Sequence, residues 1–180
     1  HWAGAKAGLK IAHNLNDSKM AILAQRVVEE AAVKIEECYL PSKGVYSQAI
    51  GTQNLDASTL QLIMMNYLDP STEKAKSHLI QLERELKTKE GLFYRYKHVD
   101  DFGLPESTFM ICAFWYVEAL ACVGRVDEAA KEFEKLLKYT NHLGLLSEDV
   151  DAKSGSQWGN FPQAYSHVGL VNAAYRITNK

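Results

Sequence analysis

Apolar residues recur at three- and four-residue intervals through most of the chain, the spacing that places them on one face of an α-helix. Gly, Pro, Asn and Asp residues separate these periodic stretches and mark their ends. The pattern predicts seven helices, over about residues 2–13, 19–37, 57–66, 72–88, 107–124, 126–139 and 162–178. Extended structure is expected to be slight, confined to a short alternating run over residues 45–50.

The predicted helices differ in how much of their surface is apolar. The stretch 107–124 is apolar on nearly every side, so neighbours must enclose it, whereas 126–139 is apolar on one side only. In 162–178 the apolar side is expected to carry Ala164, Val168, Val171 and Ala174. Pairing of enclosed with amphipathic helices is typical of a two-layer ring or solenoid of helical hairpins. We therefore predict an all-α fold, with residues 1–180 forming a single partial domain.

Three long connections, over residues 39–55, 91–105 and 141–161, are expected at the same end of the hairpins and bring polar and aromatic residues to one rim. The segment 144–167 is unusual because connections between bundled helices commonly run about two to eight residues. It contains an acidic cluster and several aromatic residues, which a disordered linker lacks. A functional site is predicted on this rim.

Glu148 is the candidate catalytic carboxylate of that segment. Like charges on Asp149 and Asp151, together with apolar Leu145 and Leu146, would favour a protonated acid. A neighbouring arginine or hydrogen-bond donor would instead hold the carboxylate ionised, as a base requires. A solvated acidic loop or a helix cap would explain the same residues.

Arg95 lies between Tyr94 and Tyr96 and is the second candidate. An arginine flanked by aromatic rings can hydrogen-bond sugar hydroxyls while a ring stacks on the sugar, but a structural bridge to a nearby Asp fits equally well. Gln163 and His167, near the start of the last helix, are candidate ligand contacts, and a structural role for the histidine is the alternative.

Composition and charge narrow the class of partner. The chain is 47% hydrophobic and 23% charged, as is typical of a globular protein, and its net charge is −2 without a dense Lys/Arg block. These values argue against a nucleic acid or an anionic membrane as partner. No apolar run reaches the roughly 20 residues of a membrane-spanning helix. The first residues lack the features of a signal peptide and start within a helical pattern, so a longer protein is expected.

Cysteine and histidine spacing predicts no metal and no cofactor. The three cysteines, Cys38, Cys112 and Cys122, are too scattered for a disulfide framework or a zinc cluster, and free thiols mildly favour a reducing compartment such as the cytoplasm. Neither a His-based metal motif nor a glycine-rich phosphate loop occurs in the sequence.

Five segments of the sequence are distinctive: YRY at 94–96, ESTFMICAFW at 106–115, GRVDEA at 124–129, GLLSEDVD at 144–151 and GNFPQAYSHVGLVNAA at 159–174. Together they resemble glycoside hydrolase family 15, the group of glucoamylases, glucodextranases and microbial trehalases. The likeness extends over nearly the whole chain and corresponds to the C-terminal half of the catalytic domain.

The resemblance implies an (α/α)6 barrel, of which this chain forms about half, and inverting hydrolysis of α-glucosidic bonds. Glu148 resembles the general base, Arg95 the residue that holds the hydroxyls of the nonreducing glucose, and Glu106 a residue beside the sugar pocket. The general acid is expected in the half preceding His1, because inversion needs two carboxyl groups about 6.5–9.5 Å apart. The implied partners are an α-glucoside or oligosaccharide substrate, and the remaining half of the domain or a dimer partner.

Two alternatives remain open at this point. The spacing of Ala129 and Phe133 is similar to the second half of a tetratricopeptide unit, which would make the chain an interaction module, although no 34-residue period recurs. A degenerate family member could also bind glucans without turnover. Starch, dextran and trehalose are not distinguished as substrates.

Overall fold

Seven α-helices build most of the protein, in a computed structural model that describes residues 1–179. They are α1 (Trp2–Asn14), α2 (Ser18–Glu36), α3 (Gln61–Met64), α4 (Glu73–Leu86), α5 (Met110–Cys122), α6 (Val126–Leu137) and α7 (Ala164–Thr178). A 3₁₀ helix, Ala57–Leu60, leads directly into α3. The all-α class and all seven predicted helices are confirmed.

Short polar side chains start three of the helical segments, as their sequence positions suggest. Asp17 accepts from the backbone N–H of Met20 at 3.0 Å and begins α2. Thr72 caps α4, and Asp56 accepts from the N–H of Ser58 at 2.7 Å at the start of the 3₁₀ helix. Each cap satisfies an N–H group that has no partner inside its own helix.

Five two-residue strands interrupt the helical pattern. They are β1 (Tyr39–Leu40), β2 (Val45–Tyr46), β3 (Thr108–Phe109), β4 (Asp149–Val150) and β5 (Gln157–Trp158). The first two form an antiparallel hairpin, and β3, β4 and β5 form an antiparallel sheet in that order. The helix predicted from residue 107 therefore begins three residues later, at Met110. Thr108 pairs with Val150 instead of entering the helix, and a strand this short leaves no periodic signal.

The core is centred on α5, as its apolar character predicts. Eleven of its thirteen residues are buried, and it packs against α3, α6 and α7. Tyr116 stacks on Phe93 with ring centroids 5.1 Å apart, which fixes the loop after α4 to the middle of α5. Each large apolar side chain buried in this way contributes about 1.5–3 kcal/mol relative to exposure.

The buried face of α7 differs from the predicted one. Val168 and Val171 are 51% and 62% exposed, and the buried residues are Ser166, Gly169 and Ala173. Small residues let α7 approach α5 closely: a Cβ on Gly169 would lie 2.5 Å from Cδ1 of Ile111. The apolar side of α7 faces out of the described chain, as an inner helix does in an incomplete ring.

Two further sequence expectations concern cysteines and membrane spans. Within residues 1–179, no disulfide bond joins Cys38, Cys112 and Cys122. None of the helices within residues 1–179 is long and apolar enough to cross a membrane.

Candidate active site

Two of the long connections, 91–105 and 141–161, meet at the start of α5 through backbone hydrogen bonds. The N–H of Met110 donates to the carbonyl of Glu148 at 2.9 Å, and the N–H of Phe109 donates to that of Phe93 at 3.0 Å. The N–H of Ala57, the first residue of the 3₁₀ helix, donates to the carbonyl of Arg95 at 2.8 Å. Glu148 and Arg95 thus lie on segments tied to the same helix end, as predicted, while the position of 39–55 on this rim stays a prediction.

Three consecutive carbonyl groups fix the loop that carries the candidate carboxylate. Leu146 accepts from the backbone N–H of Gln163 at 2.9 Å, and Ser147 accepts from the hydroxyl of Ser166 at 2.8 Å. The third carbonyl is that of Glu148, already described. The loop is therefore attached to the first turns of both α5 and α7, whose N–H groups lack intrahelical partners.

Glu148 lies immediately before β4 and is partly buried. Its Oε2 atom accepts two hydrogen bonds from Asn160, from the backbone N–H at 3.1 Å and from Nδ2 at 2.7 Å. Gly159 packs against the same side chain, so closely that a Cβ there would lie 2.9 Å from Oε2. Within residues 1–179, hydrogen bonds reach only Oε2, which leaves Oε1 able to accept a proton.

The two acidic neighbours of Glu148 have hydrogen-bond partners of their own. Of these, Asp149 is half-buried and accepts from Ser107 Oγ at 2.6 Å. Burial raises the pKa of Asp149, and the charge of Glu148 adds to the rise. Asp151 instead belongs to its own turn, where hydrogen bonds from Ser154 lower its pKa.

Arg95 forms the ion pair with an Asp that was one of the two roles considered for it, and a sugar contact stays a prediction. Its Nε lies 3.4 Å from Oδ2 of Asp56, which is 8% exposed, while the arginine side chain is 55% exposed. The ion pair therefore anchors the guanidinium and leaves much of it open to a ligand. Asp100, which is nearer in sequence, accepts a short hydrogen bond from Tyr96.

Two aromatic residues that the sequence did not single out complete this part of the rim. Tyr165 is 47% exposed and packs edge-on against Trp115, with ring centroids 6.0 Å apart. Burial raises the pKa of Tyr165, and the charge of Arg95 opposes that rise. An exposed ring near a guanidinium is the arrangement that binds a sugar face and its hydroxyls.

Glu106 lines a pocket of about 500 Å³ together with Ser107, Asp149 and Trp158, and Glu148 is not part of its lining. Asp149 and Trp158 are directly paired across β4 and β5, so their side chains share one face of the hairpin. Glu148 is one residue earlier, does not line this pocket, and is assigned to the other face by strand alternation. The structure thus places Glu106 near the hairpin without bringing it into one pocket with Glu148.

Gln163 and His167 contact the chain itself. Gln163 is the N-cap of α7. His167 Nε2 accepts from the N–H of Leu146 at 3.3 Å, and its Nδ1 lies 2.8 Å from the carbonyl of Gln163, to which it donates. Both ring nitrogens thus hold the loop against the helix, which is the structural role considered for this histidine. A substrate contact by either residue stays a prediction.

Asp56 and Asn160 are the polar residues that sequence reasoning missed as parts of the site. The only sequence signal for Asp56 was its position before a helix, and Asn160 lay unremarked in the GNFPQ stretch. Within residues 1–179, no group of three or more His, Cys, Asp and Glu side chains is placed to hold a metal ion.

Comparison with known proteins gives the same family as the sequence resemblance, and the match extends over nearly the whole chain. Residues 1–175 match the sequence model of Glycosyl hydrolases family 15. Trehalases from Mycobacterium tuberculosis and Thermoplasma volcanium are 35% and 32% identical over 98% of the chain. The chain spans 26% and 28% of those two relatives, about a quarter of their length.

Solved structures share the fold. A glycosidase superimposes with a TM-score of 0.82 at 17% identity, over 98% of this chain and 49% of that one. A bacterial glucoamylase complexed with acarbose gives a TM-score of 0.80 at 17% identity, over 99% of this chain and 32% of that one. The helical architecture is therefore part of an α/α toroid and not a tetratricopeptide array, and the chain belongs to glycosyl hydrolases family 15.

Proposed function

We propose that the protein of which this chain is part hydrolyses α-glucosidic bonds with inversion, and that Glu148 is the general base. The observation that carries the proposal is the fixation of Glu148, with two donors from Asn160 on Oε2 and its carbonyl bonded to the start of α5. An ionised carboxylate with one open oxygen is equipped to take a proton from water as that water attacks the anomeric carbon.

Inversion requires a second carboxyl group, which protonates the glycosidic oxygen from the opposite side of the sugar. We assign that general acid to a part of the protein outside residues 1–180, supplied by the remainder of the polypeptide. The chain covers about a quarter of the trehalases it matches, which leaves room for such a residue. Residues 1–180 alone are then expected to be inactive.

Substrate binding is assigned to Arg95 and to the three other predicted contacts, Glu106, Gln163 and His167. Arg95, anchored by Asp56 and half exposed, would hold hydroxyls of the nonreducing glucose. Glu106 would contact the sugar from the neighbouring pocket, and Gln163 and His167 from the start of α7. Because the relatives at 32–35% identity are named trehalases, trehalose is the first substrate to test, ahead of maltooligosaccharides and dextran.

The proposal is tested on the full-length protein by following the anomer of the released glucose with NMR. With trehalose we expect β-glucose from the attacked residue and α-glucose from the leaving residue in equal initial amounts. Glu148→Gln should lower kcat by about 10²–10⁴, the usual contribution of a general base. Glu134→Gln, an exposed position on α6, is the matched control and should leave kcat unchanged.

Other results would point elsewhere. Near-normal turnover in Glu148→Gln would remove this residue from the mechanism. Initial release of α-glucose alone from trehalose, without an equal amount of β-glucose, would exclude inversion. Binding of an α-glucoside by the wild-type protein without any hydrolysis would favour the degenerate, glucan-binding alternative.

A further inference from the structure

The side chain of Lys87, the residue that ends α4, forms a largely buried polar cluster with residues of α5 and α6. Its ammonium group is 3.1 Å from Oε1 of Glu132, and the two side chains are 16% and 7% exposed. The same ammonium group donates to the hydroxyl of Tyr116 at 3.3 Å. Lysine and glutamate side chains are seldom buried to this degree unless they are paired. This ion pair therefore differs from exposed pairs elsewhere on the helices, such as Arg26 with Glu30.

The ion pair packs directly against the turn that follows α4. Oε2 of Glu132 faces that turn so closely that a Cβ on Gly91 would lie 2.8 Å from it. Burial raises the pKa of Glu132, but hydrogen bonds from Lys135 and Lys87 outweigh this effect, and the net shift of the pKa is downward. A buried, ionised carboxylate thus lies against both the lysine and the turn.

The segment fixed in this way leads into Arg95. Lys87 and Phe93 face each other in an antiparallel β-bridge that closes the turn. The Phe93 ring stacks on Tyr116, with ring centroids 5.1 Å apart, and Tyr116 is the residue that accepts the Lys87 hydrogen bond. Arg95 follows Phe93 by two residues. The backbone before Arg95 is therefore connected to Lys87 through both main-chain and side-chain contacts.

We propose that Lys87 is a positioning residue for Arg95. Its buried contacts with α5 and α6 fix residues 87–93, and this segment determines where the Arg95 guanidinium meets the sugar. Asp56 orients the guanidinium itself, whereas Lys87 acts on the backbone that carries it. The inference rests on the proposed function, in which Arg95 holds hydroxyls of the nonreducing glucose.

Loss of the Lys87 ammonium group would disturb this segment for an electrostatic reason. Glu132 would keep only Lys135, which is 46% exposed, and part of a buried charge would be left uncompensated. The carboxylate and the turn against it must then shift towards solvent or towards Lys135, and Arg95 shifts with them. Binding of the sugar is weakened, while the chemistry at Glu148 is affected less.

Kinetics of the full-length protein with trehalose test this role by comparing Lys87→Met with Lys135→Met. Each substitution removes one ammonium partner of Glu132, but only Lys87 also contacts Tyr116. We expect Lys87→Met to raise KM about 5-fold with a smaller effect on kcat, and Lys135→Met to change neither. Lys87→Arg keeps the charge and should restore most of the wild-type KM. A wild-type KM in folded Lys87→Met, or an equal rise in Lys135→Met, would refute the proposal.

Tyr116→Phe is a milder variant that removes only the hydroxyl bonded to Lys87. It keeps the ring that stacks on Phe93, so the fold should be preserved. KM should rise in the same direction, by about 2-fold, because one hydrogen bond of the cluster is lost. An unchanged KM in this variant would count against the proposal.

A double-mutant cycle separates an effect through Arg95 from a general loss of structure. If Lys87 acts through Arg95, the rise in KM caused by Lys87→Met should largely disappear in an Arg95→Lys background. The same fold-increase in both backgrounds would refute the proposal, because the two positions would then be independent. Failure of the proposed function is recognised separately, by absence of trehalose hydrolysis in the wild type or by an unchanged KM in Arg95→Lys alone.

Discussion

Replacement of Gly159 by alanine tests how closely the hairpin must hold Glu148. Gly159 has φ +75°, a conformation in which an L-residue costs about 1–2 kcal/mol. The added Cβ would lie 2.9 Å from Oε2 of Glu148 and 3.0 Å from its Cβ, well inside the 3.5–4.0 Å of a relaxed carbon contact. The carboxylate must therefore move by several tenths of an ångström, and its hydrogen bonds from Asn160 must lengthen.

Gly144→Ala is the matched control, because Gly144 has φ +77° and no atom within 4 Å of the added Cβ. Both variants should lose about 1–2 kcal/mol of unfolding free energy in urea. Only Gly159→Ala should also lower kcat, by about 10–100-fold, since misplacement of a catalytic group by up to 1 Å costs about 10²-fold. Initial rates at saturating trehalose in the full-length protein measure this. Equal kcat values for the two variants would refute the claim that Gly159 positions Glu148.

Three further predictions concern individual side chains. Asn160→Ala removes the 2.7 Å hydrogen bond from Nδ2 to Glu148 and should lower kcat about 10-fold. The reason is that a hydrogen bond to a charged group contributes about 1.5–3 kcal/mol, and a wild-type kcat would contradict this. Arg95→Lys keeps the positive charge near Asp56 but loses the planar guanidinium, so KM should rise about 10-fold with a smaller effect on kcat. An unchanged KM would exclude a sugar contact by Arg95. His78 is buried, with both ring nitrogens bonded to backbone groups, and burial lowers its pKa to about 4. In the unfolded chain the His78 imidazole binds a proton near pH 6.5, whereas in the folded chain it stays neutral down to about pH 4. The stabilisation that comes from burying the neutral imidazole is therefore complete above pH 6.5. It is lost as pH falls towards 4, by up to about 3 kcal/mol, and a His78→Gln variant in urea should lack this component.

Most of the helices were predictable because they have a 3.6-residue apolar period and a recognisable cap or stop, whereas α5 was predictable from its long, nearly uninterrupted apolar run. The error at residues 107–109 arose because Thr108 obtains its partner from Val150, forty-two residues away, and no local pattern contains that information. The error on α7 has a different cause. Its buried side is made of small residues such as Gly169, and the larger valines face the open side of the ring, so the most apolar side is not the buried one within this chain.

The residues of the candidate site differ in the same way, because some could be predicted from the local sequence and others only from tertiary contacts. Glu148 and Arg95 were identified because a charged residue among aromatic or apolar neighbours is conspicuous in a sequence. Asn160 became part of the site only because the β4–β5 hairpin folds back and puts its amide on Glu148. Asp56 did so because its helix start lies beside the Arg95 loop. Residues that hold a catalytic group through tertiary contacts carry no local signature of that role.

The location of the site follows from the directions of the two inner helices that carry it. The starts of α5 and α7 lie on one rim, where their first N–H groups have no partners within the helix and carry partial positive charge. Carbonyls of the loop from Leu146 to Glu148 accept from the N–H of Met110 at the start of α5 and from the N–H of Gln163, the N-cap of α7. The carbonyl of Ser147 accepts from the hydroxyl of Ser166 in the first turn of α7. The contacts that complete the helix ends therefore also immobilise the loop, and they place its carboxylate where helix dipoles favour a negative charge. A base at the opposite rim would face carbonyl groups and would need a cation to stay ionised. The ring thus favours a catalytic carboxylate at this end before any substrate contact is considered.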